Sequence, residues 1–230
     1  MLEESAAQDI VYSSLFTGVL GNYLKPSIKN AGLDPENLPD ADKSSMNFGS
    51  GGNTDSKAWN EHIDKESAPT NQEVPSYVQV IGAIYRNSDP TDIAVTAAGG
   101  LVGEVVQVWR PRELNTHETE WGFSCMSYEI SGALGIKMAN PDKEVISFVG
   151  DGSYLLNNTD IYSSVITKNK LIIIVCDNGG FAVINRLQLF KGGKEYNNLL
   201  KSSNTPGLVD VDFAKHAESM GAKSEYVNSI

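Results

Sequence analysis

The chain has 230 residues, 40% of them hydrophobic and 20% charged, with a formal net charge of −11 at pH 7. That length suits one domain, or one domain with an appendage, and the hydrophobic share can build a sizeable core. The acidic balance argues against binding nucleic acid through a broad cationic surface, and no run reaches the ~18 apolar residues of a membrane span.

Residues 1–70 read as a connector or the tail of an upstream domain, partly irregular. Ile10 to Leu24 has the spacing of a helix that Lys25-Pro26 would end. Gly32-Leu33-Asp34-Pro35, Leu38-Pro39-Asp40 and Gly49-Ser50-Gly51-Gly52-Asn53 carry turn and linker chemistry. From about Pro75 the pattern becomes α/β, and residues 71–230 are expected to form a second unit. Tyr77, Val80, Ile81 and Ile84 fall on one helical face, and Asp92 to Ala97 reads as a short strand. Ala98-Gly99-Gly100-Leu101-Val102-Gly103 then mimics a dinucleotide fingerprint. The helix behind it, Glu104 to Arg110, is short for such a unit, so a loop touching a cofactor near Gly100 fits better than a nicotinamide site. His117 stays open between a loop histidine facing solvent and a ligand contact.

Met126, Ile130, Ala133 and Leu134 keep helical spacing, with Gly132 and Gly135 expected to allow close packing on a sheet and Asn140-Pro141-Asp142 to stop the helix. Val145 to Val149 and Leu171 to Cys176 are apolar runs of buried parallel-strand type. One helix is expected between them, from Tyr154 to Lys168, with Leu155, Tyr162, Val165 and Ile166 sharing a face. Val211 to Met220 should be a last helix and Ala222 to Val227 a strand. Alternating β and α segments give the expected fold class: α/β, a parallel sheet flanked by helices. The chain stops at Ile230, straight after that expected strand, and reads as a piece of a longer polypeptide truncated at its C-terminus. Cys125 and Cys176 both lie in apolar contexts and read as buried, reduced thiols. With no charged-then-apolar leader at the N-terminus, the default location is cytoplasmic.

The chemistry concentrates where those two strands end. Val149-Gly150-Asp151-Gly152-Ser153 follows the first and Asp177-Asn178-Gly179-Gly180 the second, with Asn178 standing 27 residues beyond Asp151. A strand, a helix and a parallel strand bring both ends to one sheet edge, where open α/β sheets hold ligands. A carboxylate, a carboxamide oxygen and a Gly180 carbonyl suit Mg²⁺, which prefers few protein ligands plus phosphate oxygens. Gly150 and Gly152 let the strand turn sharply and let backbone approach a bulky anion. The N–H groups of Gly152 and Ser153 would then face that anion at a helix start.

This paired motif resembles the metal–diphosphate signature of thiamine-diphosphate enzymes, and residues 75–230 look like their diphosphate-binding domain. The resemblance implies that Asp151, Asn178 and Gly180 ligate Mg²⁺ and that Gly152 and Ser153 contact the diphosphate. It also implies that Phe123 to Tyr128 is the turn placing a bulky apolar side chain, here Met126, under the cofactor. The Ser124 carbonyl would accept a hydrogen bond from the aminopyrimidine. The runs Glu120 to Ile130, Gly150 to Leu155, Asp177 to Phe181, Ile184 to Gln188 and Val209 to Lys215, with Ala97 to Leu101, are similar to the hydrolases that open trihydroxycyclohexane-1,2-dione in inositol breakdown. Acetolactate-synthase-like relatives usually carry Gly-Leu-Pro where this chain has Glu129-Ile130-Ser131.

For that branch the resemblance implies cleavage of a cyclic polyol dione at a C–C bond, with the cofactor as nucleophile and electron sink. Met126 and Glu120 are the candidate catalytic residues; Glu120 and Glu129 are candidates on the substrate side, with a surface or helix-solvating role equally open for each. The activating glutamate is expected on a pyrimidine-binding domain outside this chain, contributed by a neighbouring subunit of a homo-oligomer. An acetolactate-synthase-like lyase or decarboxylase, or a non-catalytic Mg²⁺–diphosphate module of a split enzyme, stay open as alternatives.

Overall fold

The computed structural model describes residues 52–70, 74–120 and 122–229. The chain divides into two units, Met1–Trp59 and Asn60–Ile230, and the helix expected over Ile10 to Leu24 lies outside the described residues. The elements in order are α1 (Gly52–Glu66), α2 (Tyr77–Asn87), β1 (Ile93–Thr96), α3 (Leu101–Val108), β2 (His117–Thr119), α4 (Tyr128–Ala139), β3 (Val145–Gly150), α5 (Asp151–Leu156), α6 (Asp160–Thr167), β4 (Ile172–Cys176), α7 (Ala182–Phe190) and α8 (Phe213–Ser219), with a 3₁₀ turn at Leu200–Ser202.

The four strands are parallel and ordered β2-β1-β3-β4. β1 and β3 are central and buried, which explains their near-continuous apolar sequences. Strand alternation assigns the two faces. Ala94, Ile146, Phe148 and Cys176 point to one side, where Ile63 of α1, Ile81 of α2 and Leu101, Val105 and Val108 of α3 cover them together with Trp109. Ile93, Val95, Val145 and Val149 point to the other, against Ile130 and Ala133 of α4, Tyr154 of α5 and Ile161 of α6. Two layers of helices therefore hold the sheet between them. Fully burying a side chain such as Phe148 is worth roughly 1.5–3 kcal/mol. The start of α2 is set by a capping box, in which the Ser76 hydroxyl accepts from Gln79 N and the Gln79 side chain accepts from Ser76 N at 2.9 Å.

Several sequence expectations are corrected. Residues 52–66, which begin inside the linker-like Gly49 to Asn53 run, are helical. α3 begins at Leu101, three residues before the expected Glu104. The segment after Asp151 is two helices, because Asn157 and Asn158 break it: the Asn158 amide donates to the Tyr154 carbonyl at 3.1 Å and the Thr159 hydroxyl to Asn157 Oδ1 at 3.1 Å. Such side chains compete with the helical backbone for its own partners. Leu155, Tyr162, Val165 and Ile166 do not face the sheet; they are exposed. Gly132 faces the Tyr128 ring rather than the sheet, and nothing lies within 4 Å of a Cβ added at Gly135. Ala222 to Val227 is not a strand; it pairs with no segment among the described residues, and Tyr226 and Val227 are exposed. The last helix starts two residues later than Val211, at Phe213, where the Asp212 carboxylate accepts from Lys215 N at 3.0 Å.

Candidate functional site

β3 and β4 run side by side with Gly150 opposite Cys176, so both motifs begin at the same sheet edge. Asp151 is 4% exposed. Its Oδ2 accepts the Gly180 N–H at 2.8 Å and its Oδ1 the Asn178 N–H at 3.4 Å. Burial pushes the Asp151 carboxyl up from its ordinary value, and those backbone donors pull against that rise. Asn178 Oδ1 is a buried acceptor with no hydrogen-bond partner among the described residues. A buried carboxylate beside an unpartnered amide oxygen is a donor set that a hard cation completes. Among the described residues no group of three or more His, Cys, Asp and Glu forms a metal cluster. A cation here would depend on Asp151, Asn178, carbonyl groups and the oxygens of its own ligand.

A pocket of about 230 Å³ opens at this edge, lined by Ala98 to Leu101, Ser124, Met126, Gly150 to Ser153, Asn178 and Gly180 to Ile184. Gly100, Ser124, Met126, Gly150, Asp151, Gly152, Ser153, Asn178 and Gly180 thus line one pocket. A Cβ added at Gly152 would stand 3.1 Å from the Phe181 ring and 3.5 Å from the Met126 methyl, so glycine keeps the floor clear. α5 has only six residues, so its dipole is weak and the donors that matter are the first-turn N–H groups of Gly152 and Ser153. Gly180, at φ +135°, is held from behind: Phe181 N donates to Asn198 O at 2.7 Å and Leu200 N to Gly179 O at 2.8 Å.

Other candidates stand elsewhere. Glu120 is partly buried and does not line the pocket; its carboxylate accepts from Phe123 N at 2.8 Å and Cys125 N at 2.7 Å, and these donors hold its pKa low. It shapes the turn that carries Ser124 and Met126, and both Ser124 and Ser127 adopt positive φ. Glu129 solvates no helix surface: it is 1% exposed. Cys125 is exposed, against expectation, because it sits on that turn, whereas Cys176 is buried and its thiol is pushed up to about 12. Sequence reasoning missed Phe181, Val183 and Ile184 as lining, although their place directly after the Asn178 motif was the available signal.

His117 lies on β2 rather than in a loop, with Nε2 2.9 Å from the Thr119 hydroxyl. Burial holds its imidazole below the ordinary value. As pH falls below about 6.5 the unfolded chain takes up a proton that the fold resists, so stability present above that range is lost on acidification. His117→Gln should flatten the fall of Tm between about pH 7 and 5; an unchanged profile would remove His117 from the acid response.

Comparison with known proteins agrees with this geometry. The family profile described as thiamine pyrophosphate enzyme, C-terminal TPP binding domain, matches residues 97–230. The chain is 38% identical over 148 residues to the 3D-(3,5/4)-trihydroxycyclohexane-1,2-dione hydrolase of Bacillus licheniformis, covering 64% of the chain and 23% of that protein. The enzymes of the same name from Clostridium tetani and Lacticaseibacillus casei are 39% and 41% identical, over 66% and 65% of the chain and 24% and 23% of their own lengths. The chain therefore spans about a quarter of the curated relatives it matches. The fold is similar to the thiamine diphosphate-dependent 4-hydroxybenzoylformate decarboxylase of Rhodococcus jostii RHA1, with a TM-score of 0.56 and 20% identity over 68% of this chain and 28% of that one.

Proposed function

The chain belongs to the thiamine pyrophosphate (thiamine diphosphate) enzymes through their C-terminal TPP-binding domain, and from that premise we propose that it is the diphosphate- and Mg²⁺-holding part of a hydrolase that opens trihydroxycyclohexane-1,2-dione. The observation that carries the cofactor reading is the convergence of the Asp151 carboxylate with the orphaned Asn178 Oδ1 at adjacent strand ends, on a wall of glycines. The substrate class rests on the identity of 38–41% to hydrolases of that name.

Asp151, Asn178 and the Gly180 carbonyl would hold the cation. The N–H groups of Gly152 and Ser153, with Gly100 and Gly150 in the same pocket lining, would receive the diphosphate, and the metal would offset its charge. Met126 would pack against the cofactor, and the Ser124 carbonyl, on the same turn, would accept from its amine. When bound, thiamine diphosphate supplies the nucleophilic carbon and the electron sink. Hydrolysis of the dione adds one water across a ring C–C bond: one carbonyl carbon becomes a carboxylate and the other carbon takes the proton. Asp151 is the only carboxylate among the described residues that line the pocket, and in this reading it serves the cation. The family resemblance assigns the activating carboxylate to a pyrimidine-binding domain, contributed by a neighbouring subunit of a homo-oligomer. A pocket of about 230 Å³, smaller than the ~300–1,000 Å³ of complete small-molecule sites, supports a site that a second domain finishes. No helix of the described residues is long and apolar enough to cross a membrane, and a cytoplasmic enzyme of small-molecule catabolism is the location this reading takes.

The test is turnover by the intact protein with thiamine diphosphate and Mg²⁺. Ring opening of the cyclic dione to a linear sugar acid, dependent on both additions, is expected. Condensation or decarboxylation of a 2-oxo acid without ring opening would move the protein to the lyase branch. Absence of any effect of either addition on turnover or Tm would remove the cofactor assignment.

A further inference from the structure

Glu129 is an acidic residue with almost no solvent contact and no place on the pocket wall, yet its side chain bonds two pocket-lining segments and, through Ser153, is linked to a third. Its Oε1 accepts the N–H of Ala98 at 3.3 Å, from the loop that continues into Gly100. Its Oε2 accepts the hydroxyl of Ser153 at 2.8 Å. The Ser153 oxygen in turn accepts the N–H of Ser127 at 2.5 Å, directly after Met126. Ser147, in β3, donates to the Glu129 backbone carbonyl at 2.8 Å, which pins the first turn of α4 to the sheet.

Burying a carboxylate is expensive unless its acceptor sites are filled, and plain packing would be served at lower cost by an apolar side chain. Here the filled sites coincide with the three walls: the Gly99–Gly100 loop, the Met126 turn and the Asp151 motif. The chain of donors from Ser127 N–H through Ser153 to Glu129 has one direction, and hydrogen bonds in such a series strengthen one another. With its proton turned inward to Glu129, Ser153 faces the pocket as a backbone N–H donor.

We propose that Glu129 is a positioning residue of the cofactor site, a buried clamp that sets the spacing of three walls and withdraws the Ser153 hydroxyl from the diphosphate. The inference rests on the cofactor reading above and deepens it. It makes the Ser153 side chain part of the clamp and not a ligand contact.

The experiment is calorimetric titration of the intact protein with thiamine diphosphate at saturating Mg²⁺, below the melting range of every variant. Glu129→Ala should weaken binding about tenfold or more, the size of effect known for supporting residues around metal sites. Glu129→Gln should stay within about threefold of the parent, because its amide oxygen still accepts from Ala98 and its amide N–H₂ donates to Ser153, which keeps the spacing of the walls although that bond reverses and frees the Ser153 proton. The double variant Glu129→Ala with Ser153→Ala should bind within about threefold of Glu129→Ala alone, since both break one unit. A folded Glu129→Ala that binds like the parent, a glutamine that fails to rescue, or penalties that add in the double variant would each overturn the clamp. Should Glu129→Ala fail to fold, Ser153→Ala is read alone: weakened binding supports the clamp and unchanged binding overturns it. A parent protein without affinity for thiamine diphosphate would sink the cofactor reading itself, a result distinct from all of these.

Discussion

Replacing Asp151 by alanine should abolish the stabilisation that thiamine diphosphate with Mg²⁺ gives the intact protein. The substitution removes the only carboxylate among the described residues that line the pocket, and it strands the N–H groups of Asn178 and Gly180 that the carboxylate now holds at 3.4 and 2.8 Å. The metal site and the geometry of the Asn178 loop are lost together. Affinity should drop by about 100-fold or more, equivalent to about 2.7 kcal/mol. At a ligand concentration about 100 times the parent Kd, the parent gains about 2.7 kcal/mol and the variant almost nothing. Thermal melting with and without the two additions reads this directly. Asp151→Asn is the stricter control. It keeps the size, but one side of its amide turns N–H groups toward backbone N–H groups, so it too should lose most of the shift. A variant that keeps the full ligand-induced rise in Tm would show that the cation is held elsewhere.

Gly180→Ala should be the most damaging single-methyl change at the site. Gly180 sits at φ +135°, and an added Cβ would stand 2.5 Å from the Asn198 carbonyl oxygen and 3.2 Å from the Leu199 Cα. Both are backbone atoms held by the Phe181 and Leu200 hydrogen bonds, so they cannot move aside without breaking the strap behind the loop. The strained backbone and the clash together should cost about 2–3 kcal/mol, which lowers Tm by roughly 4–12 °C for a unit of this size. The Gly180 N–H would also leave Asp151, so cofactor affinity should fall with stability. Gly179→Ala separates the two causes. Gly179 also has positive φ, +72°, but nothing lies within 4 Å of its added Cβ. Its cost should be about 1 kcal/mol, from conformation alone. Equal losses at the two positions would contradict the packing argument.

The core strands and the pairing of the two motifs were legible because both follow from local pattern. Buried parallel strands are written as continuous apolar runs, and a β-α-β crossover leaves no choice about which ends meet. The walls at Gly100, Ser124, Met126 and Gly150 to Ser153 were legible from the family resemblance carried by the same segments. What escaped depends on contacts that are distant in sequence or on side chains that act against their average behaviour. Asn157 and Asn158 end a helix whose apolar spacing continues past them. Ala222 to Val227 has strand composition, but a strand needs a neighbour to pair with, and the segment pairs with none among the described residues. Glu129 looks like an ordinary first-turn helix acid, and only the fold reveals that Ala98 and Ser153, 31 and 24 residues away, close around it. For Glu120 the sequence leaves a substrate-side and a surface role open, and its partners in the fold are the N–H groups of its own turn.

The most direct measurement is the anomalous scattering of Mn²⁺ substituted for Mg²⁺ in crystals of the intact protein with thiamine diphosphate. The account predicts one strong peak at the carboxyl edge of the sheet, within bonding distance of both the Asp151 carboxylate and the Asn178 amide oxygen. A peak that touches neither side chain, or a diphosphate bound away from Gly152 and Ser153, would contradict it.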